Sequence, residues 1–205
     1  MIKFLTNREL SNKLGINLAR WKRWSREFLP PDPLGGMQSG YARQYSPDDA
    51  FTVYLGGHLV SELKYAIPEA RQILGDLRKW LADKGFYFDV KGNAVFSDGV
   101  EVLTKKYILT IRQRGSLQQN FEFFYTARGI ISNKPVRYKN FEVMEELYTE
   151  TVIGRQPVPF ASQDGNTIKT LNITDILDSF VAQMDLDRAH YPTLSQSSQN
   201  SIESY

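Results

Sequence analysis

Residues 9–28 run Glu-Leu-Ser-Asn-Lys-Leu-Gly-Ile-Asn-Leu-Ala-Arg-Trp-Lys-Arg-Trp-Ser-Arg-Glu-Phe, and two short amphipathic helices are written into them. Leu10 and Leu14 stand four apart on one helical stripe, and Gly15 supplies the residue that accepts a left-handed conformation where a helix stops. Just upstream, Thr6 and Glu9 have the spacing of a capping box. Asn17 then caps a second helix over about 18–28, whose apolar face is Leu18, Trp21, Trp24 and Phe28. Two short helices joined by Gly-Ile-Asn predict a helix-turn-helix.

Outward from that pair, residues 30–45 are too rich in Pro and Gly for a helix and suit an extended excursion or a small hairpin wing. Ser46-Pro47-Asp48-Asp49 predicts a third helix start, with an N-cap, a proline in the first turn and two acids at the positive end of the dipole. Phe51, Leu55, Leu59 and Leu63 carry that helix to about Lys64. Pro68 opens a fourth, with Ala70, Ile73, Leu74, Leu77, Trp80 and Leu81 on one face, and Lys84-Gly85 closes it. From Phe86 to about Arg128 the pattern alternates and predicts an antiparallel meander. Phe86, Phe88 and Val90 lie on one side of its first strand. Turns fall at Gly92-Asn93, Asp98-Gly99 and Arg114-Gly115-Ser116, and the rows Tyr107, Leu109, Ile111 and Phe121, Phe123, Tyr125 face inward. Phe124 falls on the opposite face. Residues 141–151 are expected to be helical, with Glu145, Glu146 and Glu150 as solvated acids. A short strand follows at 167–171, then a helix capped by Asn172 or Thr174 that runs to about Arg188. Residues 191–205, rich in Ser, Gln and Asn, are expected to form a disordered tail. The fold class is α+β: an N-terminal four-helix winged helix-turn-helix, then a β-meander with two C-terminal helices. The domains are 2–85 and 86–190.

Composition narrows the function. The chain has 205 residues, a net charge of +2, two histidines and no cysteine. A disulfide scaffold, a thiol nucleophile and a thiolate metal site are therefore excluded. No apolar run approaches the ~20 residues of a membrane-spanning helix, and the first residues lack the apolar core of a signal peptide; a cytoplasmic protein with no membrane partner is expected. The net charge conceals an asymmetry. Residues 1–47 hold eight basic side chains against three acidic ones, a local +5, and Arg20, Lys22, Arg23 and Arg26 crowd into seven positions. A clustered basic patch is the footprint of a polyanion partner. No Ser/His/Asp set, phosphate-cradling loop or carboxylate pair stands out, so no enzymatic activity and no cofactor are expected. Trp21, Trp24 and Tyr45 are read as packing residues, Trp80 as core or dimer interface, and His58, in the middle of a helix, as structural. The aromatic residues Tyr107, Phe121, Phe123, Phe124 and Tyr125 could line a ligand pocket, but an ordinary sheet core is the favoured reading.

The N-terminal third resembles the MerR family of winged-helix transcription regulators. Residues 9–17 look like the family's first helix and turn, and residues 20–31 like its recognition helix and Leu-x-Pro exit. Residues 41–49 look like the wing's Arg-x-Tyr and the following helix start, and residues 63–74 like the link between its third and fourth helices. The resemblance covers residues 1–85. It implies a homodimer that binds double-stranded DNA at a two-fold-related site, with the second helix in the major groove and the wing on the flanking backbone. Lys22 falls on a basic DNA-contacting position and Arg43 on the wing arginine. Ala19 stands where many members carry Arg, and Arg20 on an adjoining position that is often Thr. The residues assigned to the duplex are Asn17, Ala19, Arg20, Lys22, Arg23, Arg26, Tyr41 and Arg43. Members that sense metals or thiols use cysteines beside a long dimerisation helix. This chain has neither, so a sensor of that type is not expected. Residues 86–190 are then expected to dimerise the protein or to take a small-molecule or protein effector. Two other readings fit the same residues: an excisionase-like or DNA-packaging architectural protein, and an interaction adaptor that works through the β-rich region.

Overall fold

The computed structural model describes residues 5–32, 43–86, 106–114, 122–154 and 166–186. The protein has an α+β fold: N-terminal helices, a central antiparallel sheet and a C-terminal helix. It divides into two compact units. The expected strand residues 87–90, the turns at 92–93, 98–99 and 115–116, Phe121, Tyr41 and the tail lie outside the described residues.

The first unit starts with β1 (Leu5–Thr6), α1 (Asn7–Lys13) and α2 (Leu18–Phe28), followed by β2 (Gln44–Tyr45), α3 (Pro47–Ser61) and α4 (Ile67–Asp83). Local chemistry sets each helix end. Thr6 Oγ1 accepts from the Glu9 backbone N–H while the Glu9 carboxylate accepts from the Thr6 N–H at 2.8 Å, and Ser46 and Asp49 repeat this reciprocal cap on α3. Gly15 sits at φ +62° and Gly85 at φ +76°. In both cases the next residue's N–H reaches back to the last turn: Ile16 to the Ser11 carbonyl (3.0 Å) and Phe86 to the Leu81 carbonyl (2.8 Å). This is the Schellman closure, which glycine favours because it has no Cβ to clash. Phe86, expected to begin a strand, therefore finishes α4. It is fully buried and stacks on Trp80 with ring centroids 5.9 Å apart.

Packing joins these helices through Leu10, Trp21, Phe51, Leu55, Leu59, Ile73, Leu77 and Leu81, all buried. Gly56 and Gly57 in the middle of α3 let α2 come close. A Cβ on Gly57 would stand 2.4 Å from the Trp24 ring, and one on Gly56 2.5 Å from the Phe28 ring. The C-terminal helix, α5 (Ile173–Met184), also contributes. From Leu177 onward it groups with the first unit, where Phe180 meets Phe51 at 5.3 Å and Tyr54 at 5.5 Å. Chain order alone assigns that helix to the second domain. Its fully buried Leu177 and Phe180 follow from the apolar spacing that predicts the helix; the partner they meet is set by tertiary contact.

Among the described residues the second unit is built on a four-stranded antiparallel sheet: β3 (Lys106–Arg114), β4 (Glu122–Tyr138), β5 (Phe141–Ile153) and β6 (Asn166–Asn172), in spatial order β5-β4-β3-β6. Leu109, Ile111, Phe123, Tyr125, Ala127, Ile153 and Leu171 form its buried face, and Phe124 is half-buried on the other. Asn172 caps α5, its Oδ1 accepting from the Asp175 N–H at 3.3 Å. Two expectations fail here. The meander does not end near Arg128, because β4 continues to Tyr138; and residues 141–151 are not a helix but most of strand β5. Glutamate is a good helix former, and Glu145, Glu146 and Glu150 all lie in that stretch. The structure instead follows the period-two alternation of Phe141, Val143, Leu147 and Ile153, which β4 holds in register from Tyr138↔Phe141 to Tyr125↔Ile153. Among the described residues one C-terminal helix is present, where two are expected.

Candidate nucleic-acid interface

Helix α2 carries the candidate site, and its burial pattern divides it cleanly. Trp21 is fully buried and Trp24 nearly so, whereas Arg20, Lys22, Arg23 and Arg26 are all exposed. The buried stripe fixes the outward direction of the basic side chains, because residues opposite an apolar stripe must face away from the core. Asn17 is the N-cap: its Oδ1 accepts from the backbone N–H groups of Ala19 (3.0 Å) and Arg20 (3.3 Å). Asn17 and Ala19 are also exposed, so the first turn of α2 presents an open surface.

The approach of the flanking segments is tied down by polar contacts. Leu5 pairs with Tyr45 and Thr6 with Gln44, so β1 and β2 form a short antiparallel ladder. The Tyr45 hydroxyl donates to Asn7 Oδ1 at 2.7 Å and lies 3.0 Å from Ser25 Oγ, while its ring meets Trp21 edge-on at 5.8 Å. One tyrosine thereby couples the ladder to α1 and α2. Arg71 on α4 grips the end of α2, with Nε donating to the Glu27 carbonyl at 2.8 Å and the guanidinium paired with the Glu27 carboxylate.

Arg43 is half-buried. Its Nη2 donates to the Pro30 carbonyl at 2.9 Å, and its guanidinium lies 5.5 Å from the Tyr45 ring centroid. It braces the chain leaving α2 as well as contributing charge. Arg26 Nε donates to the Lys22 carbonyl at 3.2 Å, which holds its stem along the helix, and the Arg20 guanidinium lies 5.9 Å from the Trp24 ring centroid. Of the predicted site residues, Lys22, Arg26 and Arg43 line one open groove of about 900 Å³ together with Arg8 and Pro30. Arg20 and Arg23 are exposed on the same helix but do not line that groove.

Arg8 is the addition that the structure makes. It lies on α1, exposed, and joins the cations of α2 at the groove. The only sequence signal for it is its share of the +5 charge in residues 1–47. Among the described residues no group of three metal-ligating side chains comes together, and no helix is long and apolar enough to cross a membrane. No protein-family model and no curated protein matches the sequence.

Proposed function

We propose that this protein binds double-stranded DNA as a homodimer and regulates transcription, with α1, α2 and the β1–β2 ladder serving as a MerR-like winged helix-turn-helix. One observation carries the reading: four cations on one helix, Arg20, Lys22, Arg23 and Arg26, are all exposed opposite a tryptophan stripe that is buried. On a helix that follows a short turn, such side chains reach phosphates and guanine edges in the major groove. Arg8 and Arg43 line the same groove as Lys22 and Arg26. Phosphate contacts supply affinity and register, and one or two side chains of α2 supply sequence preference.

The test is electrophoretic mobility shift across a salt series, with thermal melting of each variant alongside. The expected wild-type result is duplex binding whose logarithmic affinity falls linearly with the logarithm of salt concentration. Lys22→Ala is expected to weaken binding to every duplex and to reduce that slope by about 1, with unchanged melting. Arg43→Ala is expected to lower both affinity and melting temperature, because it also removes the bond to the Pro30 carbonyl. A wild-type protein with no salt-dependent duplex binding overturns the reading.

A further inference from the structure

Among the described residues, the β4–β5 hairpin extends past the strand beside it. Strand β3, described from Lys106, pairs with β4 as far as Ile130, where the ladder with β5 shifts register across Ile131. A bulge at that point re-aims a strand. Beyond it, β4 and β5 continue together to Tyr138↔Phe141, and among the described residues neither has another strand beside it. A two-stranded ribbon of this kind is marginal when nothing covers it.

One face of this arm continues, along β5, the side of the sheet that buries Ile153. Its rungs are Leu147↔Ser132, Glu145↔Lys134, Val143↔Val136 and Phe141↔Tyr138. The apolar side chains on it are open to solvent: Phe141 is 72% exposed, Tyr138 64% and Leu147 56%. On the opposite face Met144 is 63% exposed, and near the base Arg128 pairs with Glu146 at 3.6 Å and lies 4.3 Å from the Tyr148 ring centroid. The two outermost rungs, Val143↔Val136 and Phe141↔Tyr138, adjoin, and exposed apolar surface of this kind marks an interaction site.

Charge selects the partner. Between Leu147 and the turn, this face carries one cation, Lys134 on β4, and one carboxylate, Glu145 on β5. A neutral, two-signed arm does not suit a polyanion and is complementary to itself. We infer that the arm is the contact between two copies of this chain, packed face to face about a two-fold axis parallel to the strands. That axis sets β5 of one copy over β4 of the other. Phe141 then meets the partner's Tyr138, Val143 meets the partner's Val136, and Glu145 faces the partner's Lys134. A two-fold across the strands that passes through this rung would instead stack Glu145 on Glu145 and Lys134 on Lys134, which like-charge repulsion opposes. The inference rests on the two-copy part of the function proposed above and not on DNA.

Sedimentation velocity of the full chain without DNA tests it. Wild type is expected to dimerise, and Lys134→Glu and Glu145→Lys each to raise the dissociation constant at least tenfold. An equimolar mixture of the two variants is expected to recover dimer. Both variants lose the 3.7 Å Lys134–Glu145 pair within one arm; mixing cannot rebuild it, so recovery reports contact between copies alone. Both positions are more than half exposed, and far-UV circular dichroism checks that each variant folds. The absence of cysteine permits a second arm of the test. Val136→Cys and Val143→Cys are expected to cross-link when mixed and not when oxidised separately. A monomeric wild type, charge variants that still dimerise, a mixture that fails to recover, or self-cross-linking of Val143→Cys each overturns the proposal. Mobility shift is read separately, so a loss of DNA binding and a loss of the arm contact are distinguishable.

Discussion

The helical unit and the β4–β5 arm spend their aromatic side chains in opposite ways. In the helical unit Trp21, Phe51, Phe86 and Phe180 are fully buried, and two glycines in α3 give up side chains so that Trp24 and Phe28 can close against them. In the arm Tyr138 and Phe141 are mostly exposed at the end of a ribbon that has no further strand beside it among the described residues. Apolar area stabilises only when it leaves water, at about 25 cal/mol per Å². The helical unit collects that stabilisation within one chain, whereas the arm collects it only against something else. A residue type therefore does not fix its own contribution; the surface that faces it does.

The largest effect that separates the two regions should come from one substitution made in each. Phe51→Ala removes a fully buried ring that packs on Phe180 and is expected to destabilise by about 3–5 kcal/mol. Phe141→Ala, at concentrations where the chain is monomeric, is expected to change stability by less than about 0.5 kcal/mol. Urea denaturation is followed by tryptophan fluorescence for the helical unit, where Trp21, Trp24 and Trp80 all lie, and by far-UV circular dichroism for the sheet. A large loss with Phe141→Ala under those conditions would break the comparison, since the arm would then be part of the monomer's core. A smaller effect tests the close approach itself. Gly57→Ala places a methyl 2.4 Å from the Trp24 ring and is expected to cost about 1–3 kcal/mol. Gly75→Ala in α4 meets nothing within 4 Å and is expected to stabilise by about 0.5–1 kcal/mol. The same chemical change should thus have opposite signs on neighbouring helices.

That contrast also explains what can be read from the sequence. Thr6, Gly15, Asn17 and Ser46-Pro47 act within a few residues of themselves, so their caps and turns are legible in the sequence alone. The cationic face of α2 is legible for a related reason: the Trp21–Trp24 stripe fixes which side is buried, and the charges occupy the rest. Features that depend on distant partners are not legible. Gly56 and Gly57 read as weak helix positions, and nothing local shows that rings from α2 need the space. Arg43 reads as a free wing cation until the Pro30 carbonyl is placed beside it. In residues 141–153 the local pattern misleads outright. Glutamate favours a helix on its own account, but pairing with β4 is decided by thirteen register partners that reach back to Tyr125. Misreading that strand also hides the arm, because its exposed face exists only once both strands are in register.

The smallest effect belongs to His58, which probes the covered side of the comparison. It is half-buried on α3, its ring 4.7 Å edge-on from Tyr54 and its Nδ1 4.0 Å from the Glu62 carboxylate. Burial pushes the imidazole below its ordinary value of 6.5, and the Glu62 charge opposes that shift without reversing it. In the window just below 6.5 the unfolded chain therefore binds more protons than the folded one. Stability present above that pH is lost as the pH falls through the window toward the lowered folded value. The melting temperature read by tryptophan fluorescence is expected to fall between about pH 7.5 and about pH 5.5, and His58→Gln is expected to make that fall shallower. Glu62→Gln should make it steeper, because it removes a charge that favours protonation and leaves the burial in place. If Glu62→Gln instead flattens the profile, the ion pair outweighs burial, and His58 belongs with the solvated charges of the arm rather than with the packed helices.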